Sequence, residues 1–217
     1  MTGAEPVGSE PPRDCPRCER LVAYRELNRA EHPGWFNGPA PSFGDSQARL
    51  LVVGLAPGRT GANRTGRPFT GDHAGVLLYE TLIACGFARG QYRADPGDGL
   101  QLIDCMITNA VRCAPPLNKP MPAEEALCRP FLAARMAALP RLRVIVSLGD
   151  VARRNVLRAL GLAASAGASG HGAETQCGRY RLINSYHCSR LNTNTGRLTP
   201  AMFREIFQRA REGLTGA

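Results

Sequence analysis

Eight cysteines stand in this 217-residue chain, and four of them carry spacings that suit a ligand set. Cys15 and Cys18 form a C-x2-C, and Cys113 and Cys128 form a C-x14-C. A short C-x2-C joined by two further thiolates suits tetrahedral binding of zinc or of an iron–sulfur cluster; spacing alone neither chooses between them nor excludes free thiols. A centre with four cysteine ligands has no open position for substrate, so a structural role is expected of it. Cys85 and Cys105 fall inside apolar elements, where a free thiol packs as a small hydrophobe. The second chemical signal is the loop GLAPGRTGANRTGRPFTGD, Gly54 to Asp72, directly behind the apolar run RLLVVG. Glycine lets backbone N–H groups approach an anion closely. The loop nevertheless has neither the Gly-Lys-Ser/Thr ending of a P-loop nor a G-x-G-x-x-G opening a helix, which argues against a nucleotide cofactor.

The elements that must position these groups alternate between strand and helix. Apolar runs at 49–55, 102–110, 143–149 and 179–186 read as strands. Between the first two, Leu77, Leu78, Thr81, Leu82 and Cys85 share one helical face that stops at Gly86; between the last two, a helix opens on a capping Asp150 and ends at Gly161. Near-continuous apolar strands joined by crossover helices indicate an α/β fold, a three-layer α/β/α sandwich with a parallel central sheet. Pro130 inside the helical pattern PAEEALCRPFLAARMAAL predicts a kink or break near Arg129. At the end of the chain Thr199 caps, Pro200 takes the first helical position, and Met202, Phe203, Ile206, Phe207 and Ala210 form a core stripe. Residues 1–14 are expected to be a disordered tail, 15–217 a single domain, and 163–178 a mobile loop.

The polar, motif-like segments all follow strand ends: the Gly54–Asp72 loop, TNAVRCAPPLNKP and SYHCSRLNTNTGRLT. Ligands of open α/β sheets bind outside the carboxyl ends of the strands, so these three segments should converge on one crevice. Lys and Arg number 27 against 18 Asp and Glu, for a net charge of +9, and Lys119 is the single lysine. Arginine suits bidentate phosphate contact, which favours a nucleic-acid partner. The polar, proline-containing start lacks an apolar signal core, and no window approaches the roughly 18 apolar residues of a membrane span. A cytoplasmic, nucleoid-associated monomer is expected.

Taken in order and framed by the four cysteines, GLAPGRTGANRTGRPFTGD, TNAVRCAPPLNKP, CRPFL and YHCSRLNTNTGRLTP resemble the type B, or family five, uracil-DNA glycosylases of bacteria and archaea. The likeness spans residues 15 to 207. It implies the uracil-DNA glycosylase fold with a four-stranded parallel sheet, a 4Fe-4S cluster on Cys15, Cys18, Cys113 and Cys128, and removal of uracil, with hypoxanthine, xanthine and other deaminated bases, from DNA. It places His187 beside the departing base as a neutral hydrogen-bond donor to O2, Asn109 on the Watson–Crick edge of the flipped base, and Phe69 in stacking contact with it. Gly54, Leu55 and Ala56 line the base pocket and offer no polar side chain for water. That leaves Asp72 as the carboxylate to orient water or stabilise the sugar cation, in competition with capping the next helix. Phosphate donors are expected from Arg59, Asn63, Arg64, Arg67, Ser189, Arg190, Asn192, Thr193, Asn194, Thr195 and Arg197. Leu191 reads either as the wedge that fills the vacated stack or as a buried anchor.

Two positions depart from the family pattern. Gly58-Arg59-Thr60 stands where relatives commonly carry Ala-Ala-His, which removes a histidine near the pocket and adds a cation. Cys188 stands where they commonly carry proline, leaving a thiol beside the DNA-facing segment that is either inert or oxidisable. The competing functional readings are a damaged-DNA-binding module of the same fold with weak or no chemistry, and a cytosolic hydrolase using the cysteine pairs for zinc.

Overall fold

The computed structural model describes residues 8–215. In chain order its elements are α1 (Glu19–Glu31), β1 (Phe43–Gly44), β2 (Leu50–Gly54), α2 (Ala62–Thr65), α3 (His73–Ala84), β3 (Ala88–Arg89), β4 (Gln101–Leu102) and β5 (Cys105–Asn109). There follow α4 (Pro122–Ala137), β6 (Val144–Leu148), α5 (Asp150–Ala159), β7 (Glu174–Cys177), β8 (Tyr180–Ser185), α6 (Arg190–Asn194) and α7 (Pro200–Thr215). Four strands run parallel in the order β5-β2-β6-β8. Short antiparallel strands extend both edges, β1 on β5 and β7 on β8, so the sheet has six strands rather than four. Neither edge strand is an apolar run, since neither is covered on both faces.

The near-continuous apolar strands are explained by burial on both sides. Leu50, Val52, Ile107, Val144, Val146 and Ile183 pack against α3 and α7, where Leu78, Leu82, Phe203 and Phe207 meet them. The alternate set, Leu51, Val53, Met106, Ile145 and Leu182, packs against Leu132 and Met136 of α4 and Val156 and Leu157 of α5. The Thr199 cap forms as expected, with the Met202 N–H donating to Thr199 Oγ1 at 3.2 Å. No described helix is long and apolar enough to cross a membrane.

Several expectations change. Helix α4 runs unbroken through Pro130, because Cys128, Phe131, Leu132 and Met136 are buried on both sides of the proline and hold the turn that it weakens. The N-cap of α5 is Gly149, at φ 94°, and Asp150 lies in the first turn, paired with Arg153 and Arg154. Residues 8–14 are not a loose tail: Glu10 pairs with Arg112 at 3.1 Å and Arg135 at 2.6 Å, and Asp14 pairs with Arg29. Residues 1–7 of the expected tail lie outside the described residues. The stretch 163–178 contains β7, whose Glu174 pairs with Arg181 and Arg209. The same stretch is pinned by Asn184, which donates to the Gly170 carbonyl, and by Arg153, which donates to those of Ala164 and Ala166.

Candidate active site at the carboxyl ends of the parallel strands

Parallel register brings the ends of β2 and β5 level, with Gly54 opposite Asn109, and the ends of β6 and β8 level, with Leu148 opposite Ser185. Ala56, Pro57, Gly58, Phe69, Asp72, Ala74, Asn109 and His187 line a pocket above that rim. Gly54 is required there by contact. A Cβ at 54 would lie 2.5 Å from Phe69 Cζ and would also strike Asn109 Oδ1. Asn109 is buried, and its Oδ1 has no hydrogen-bond partner. A buried, unpaired acceptor costs free energy unless a ligand satisfies it. Phe69 is held at a φ of 53°, with its carbonyl accepting from Tyr92 Oη at 3.0 Å, and its ring centroid lies 6.2 Å from that of His187.

His187 follows β8. Asn192 Nδ2 donates to its carbonyl at 2.8 Å, which turns the segment back toward the pocket. No protein group hydrogen-bonds its ring nitrogens among the described residues, and burial pushes its pKa down to about 4. The imidazole is therefore neutral at neutral pH, with its polar atoms left for a ligand. Asp72 takes the capping role weighed for it and also lines the pocket. Its Oδ1 accepts from the Gly75 N–H at 3.1 Å as the N-cap of α3, while Oδ2 faces the loop, 2.5 Å from where a Cβ at Gly61 would stand. Burial raises its carboxyl above the ordinary value of 3.8, against the lowering effect of the Gly75 and Ala74 N–H groups. The wider mouth adds Leu55, Arg59, Thr60, His73, Asn118, Ser189 and Arg190. Asn118, Pro57, His73 and Ala74 were not singled out as site residues from sequence, and Thr60 only as part of the Gly58-Arg59-Thr60 departure. Their signal was position alone, within or beside the three segments that follow strand ends.

The expected phosphate donors divide by exposure. Arg64, Arg190, Asn194, Thr195 and Arg197 are exposed, and the three arginines make no ion pair among the described residues. Ser189, Asn192 and Thr193 are half-buried; Asn192 is occupied on His187, and Thr193 Oγ1 meets His73 Nε2 at 3.2 Å. Leu191 is 73% exposed, which removes the reading as a buried anchor. Arg59 is tied to Glu31 and donates to Asn28 Oδ1 at 2.7 Å, so its cation is largely spent on α1. Two expectations fail outright. Asn63 is buried and donates to Asn37 Oδ1, and Arg67 is buried in a two-point pair with Asp98 at 2.7 and 2.8 Å, beneath the rings of Phe43, Tyr79 and Tyr92. Cys188 is fully buried, and burial raises its thiol, which favours the inert alternative over the oxidisable one.

Arg67 thus holds the loop that carries Phe69 and Asp72, with its Nε donating to Thr70 Oγ1 at 2.7 Å. Arg67→Ala would strand the Asp98 carboxylate, which the guanidinium holds well below the usual range. Breaking such a pair costs about 3 kcal/mol or more. Denaturant unfolding should show that loss, while the salt dependence of DNA binding stays as in the wild type.

The four expected ligand cysteines gather in one place. Cys15, Cys18, Cys113 and Cys128 line a small cavity with Leu21, Val111 and Phe131, between α1 and α4. Burial raises the thiols of Cys18 and Cys113 to about 11 and about 12. Among the described residues no three Cys, His, Asp or Glu side chains converge as ligands of a single ion. Arg17, Arg25 and Arg112 border the cavity; the buried Nε atoms of Arg25 and Arg112 have no hydrogen-bond partner, and the Arg112 N–H donates to Cys128 Sγ at 3.3 Å. Cationic and N–H donors around four thiols suit an anionic, thiolate-bound group with several acceptor sulfurs.

The sequence model of the Uracil DNA glycosylase superfamily matches residues 41–211. The chain belongs to that superfamily, in its type-5 group, and is an enzyme of the DNA glycosylase class of hydrolases. It is 46% identical to the Type-5 uracil-DNA glycosylase of Thermus thermophilus, over 91% of this chain and 92% of the relative. It is 42% identical to that of Pyrobaculum aerophilum, over 91% and 88%, and 44% identical to that of Mycobacterium leprae, over 91% and 90%.

Proposed function

We propose that this enzyme extrudes uracil from DNA and hydrolyses its N-glycosidic bond, and that hypoxanthine and xanthine are further substrates. The observation that carries the reading is the buried, unpaired Asn109 Oδ1 beside the Phe69 ring and the neutral His187, in a pocket that only a glycine at 54 leaves open. In the reaction the bond between base and C1′ breaks with its electron pair passing to the base, and water adds at C1′, giving up a proton that ends on the released base. Asn109 reads the polar edge of the extruded base, Phe69 covers its face, and His187 donates to the base oxygen on which charge accumulates. Asp72 faces the sugar side, where a carboxylate orients water and offsets the oxocarbenium charge. Exposed Arg64, Arg190 and Arg197 supply the phosphate contacts that make binding salt-dependent.

The same reading assigns Cys15, Cys18, Cys113 and Cys128 to a 4Fe-4S cluster. When bound it supplies a structural staple between α1 and α4, and Arg17, Arg25 and Arg112 offset the negative charge of its thiolates. The test uses duplexes with one uracil, hypoxanthine, xanthine or thymine opposite each normal base, followed by alkali. Strand scission at uracil is expected, and binding without scission defeats the proposal. Purified protein should be brown, with broad absorption near roughly 400 nm; a colourless protein with stoichiometric zinc overturns the cluster assignment.

A further inference from the structure

Beyond the pocket, the turn after β5 breaks a local rule without any gain visible in the folded protein. Pro116 to Lys119 closes on a hydrogen bond from the Lys119 N–H to the Pro116 carbonyl at 3.2 Å, with both central residues left-handed, Leu117 at φ 55° and Asn118 at φ 56°. Such mirror-image turns favour asparagine and glycine, and Asn118 fits. Leucine does not fit, because its Cβ crowds the backbone at positive φ. Nor is Leu117 buried in exchange: at 86% exposure it is the most exposed large apolar side chain among the described residues, with Leu191 next. Strained residues that persist without a packing reason point to use elsewhere.

Chain neighbours of both leucines line one opening. Asn118, beside Leu117, lines the pocket mouth together with Ser189 and Arg190, which precede Leu191. The two loops follow β5 and β8, which flank β2 and β6 in the sheet, so they rise on opposite sides of the crevice. The turn is stiffened by Pro115, Pro116 and Pro120, and the Lys119 carbonyl accepts from Arg20 Nη2 at 3.1 Å. The chain's single lysine, exposed at 119, adds a cation beside the apolar tip.

We infer that Leu117 is a second apolar finger, which enters the base stack of duplex DNA from the side opposite Leu191 and holds open the step from which the base is drawn. This rests on the proposed uracil-DNA reading. A single-stranded substrate has no paired stack to part, so the finger acts on duplex alone.

Leu117→Gly and Leu117→Asn separate this role from folding, because both residues tolerate positive φ and should melt no lower than the wild type. Each variant is expected to cut single-turnover release from duplex uracil roughly tenfold, the order that burying one leucine is worth. Release from single-stranded uracil should change less than about twofold, and Leu117→Met should restore most of the duplex rate. Equal losses on both substrates, or an unchanged duplex rate, overturn the inference. An independent readout needs no catalysis: 2-aminopurine next to the uracil should brighten on wild-type binding and brighten much less with Leu117→Gly. Brightening by the wild type without uracil release would sink the glycosylase reading and leave the finger standing; equal brightening by both proteins would sink the finger.

Discussion

Asp72→Asn is expected to lower uracil release by about 10²–10⁴, the range that one positioned acid or base group supplies, with DNA affinity within about twofold of wild type. Asparagine caps a helix as well as aspartate does, so the bond from the Gly75 N–H survives and only the charge is lost. The pH dependence carries the sign. Burial raises the Asp72 carboxyl above 3.8, so the active, ionised form is gained as pH rises through that shifted value, and the wild-type rate should have an acid limb above 3.8. That limb should vanish in the variant. A carboxyl whose pKa is raised by folding opposes folding once it is ionised, so Asp72→Asn should be at least as stable as wild type at neutral pH. An acid limb unchanged by the substitution would assign the water-orienting role to another group.

His187→Ala is expected to cost about 10²–10³ in single-turnover rate, as for removal of one donor to developing negative charge. The pH profile again distinguishes mechanisms. With a pKa pushed down to about 4, the imidazole stays neutral through the region near 6.5 where an ordinary histidine titrates. The wild-type rate should show no histidine limb there, which a cationic acid would require. The ratio of wild-type to variant rate should stay constant across that region. Rates falling as pH rises through 6.5, in wild type and not in His187→Ala, would show that the imidazolium is the working form.

The convergence of three loops was legible because it follows from strand order and the parallel rule, both local properties of the chain. Gly54 and Asn109 end neighbouring strands in register, so reading the two apolar runs correctly was enough to bring them together. The Asp72 cap and the Thr199 cap were legible for the same reason, since each partner lies within three residues. Arg64 and Arg67 show where such reading stops. Both are arginines of one loop, yet one is exposed and the other buried, because Asp98 and the rings of Tyr79 and Tyr92 arrive from later in the chain. Nothing within the loop distinguishes them. The tether of Glu10 to Arg112 and Arg135, and the pairing of β7, were missed for the same reason.

Periodicity, turn chemistry and strand order therefore sufficed for the α/β class and the placement of the crevice, while the resemblance to the family's motifs was what singled out His187, Asn109 and Phe69 within it. Which polar groups stay free for a ligand was decided by the folded protein. Asn109 Oδ1 is left unpaired and Arg67 is not; Leu191 and Leu117 are left bare and Cys188 is not. A side chain is spent or available according to partners that only long-range packing delivers, and a buried polar group without one carries a cost that a bound base can relieve.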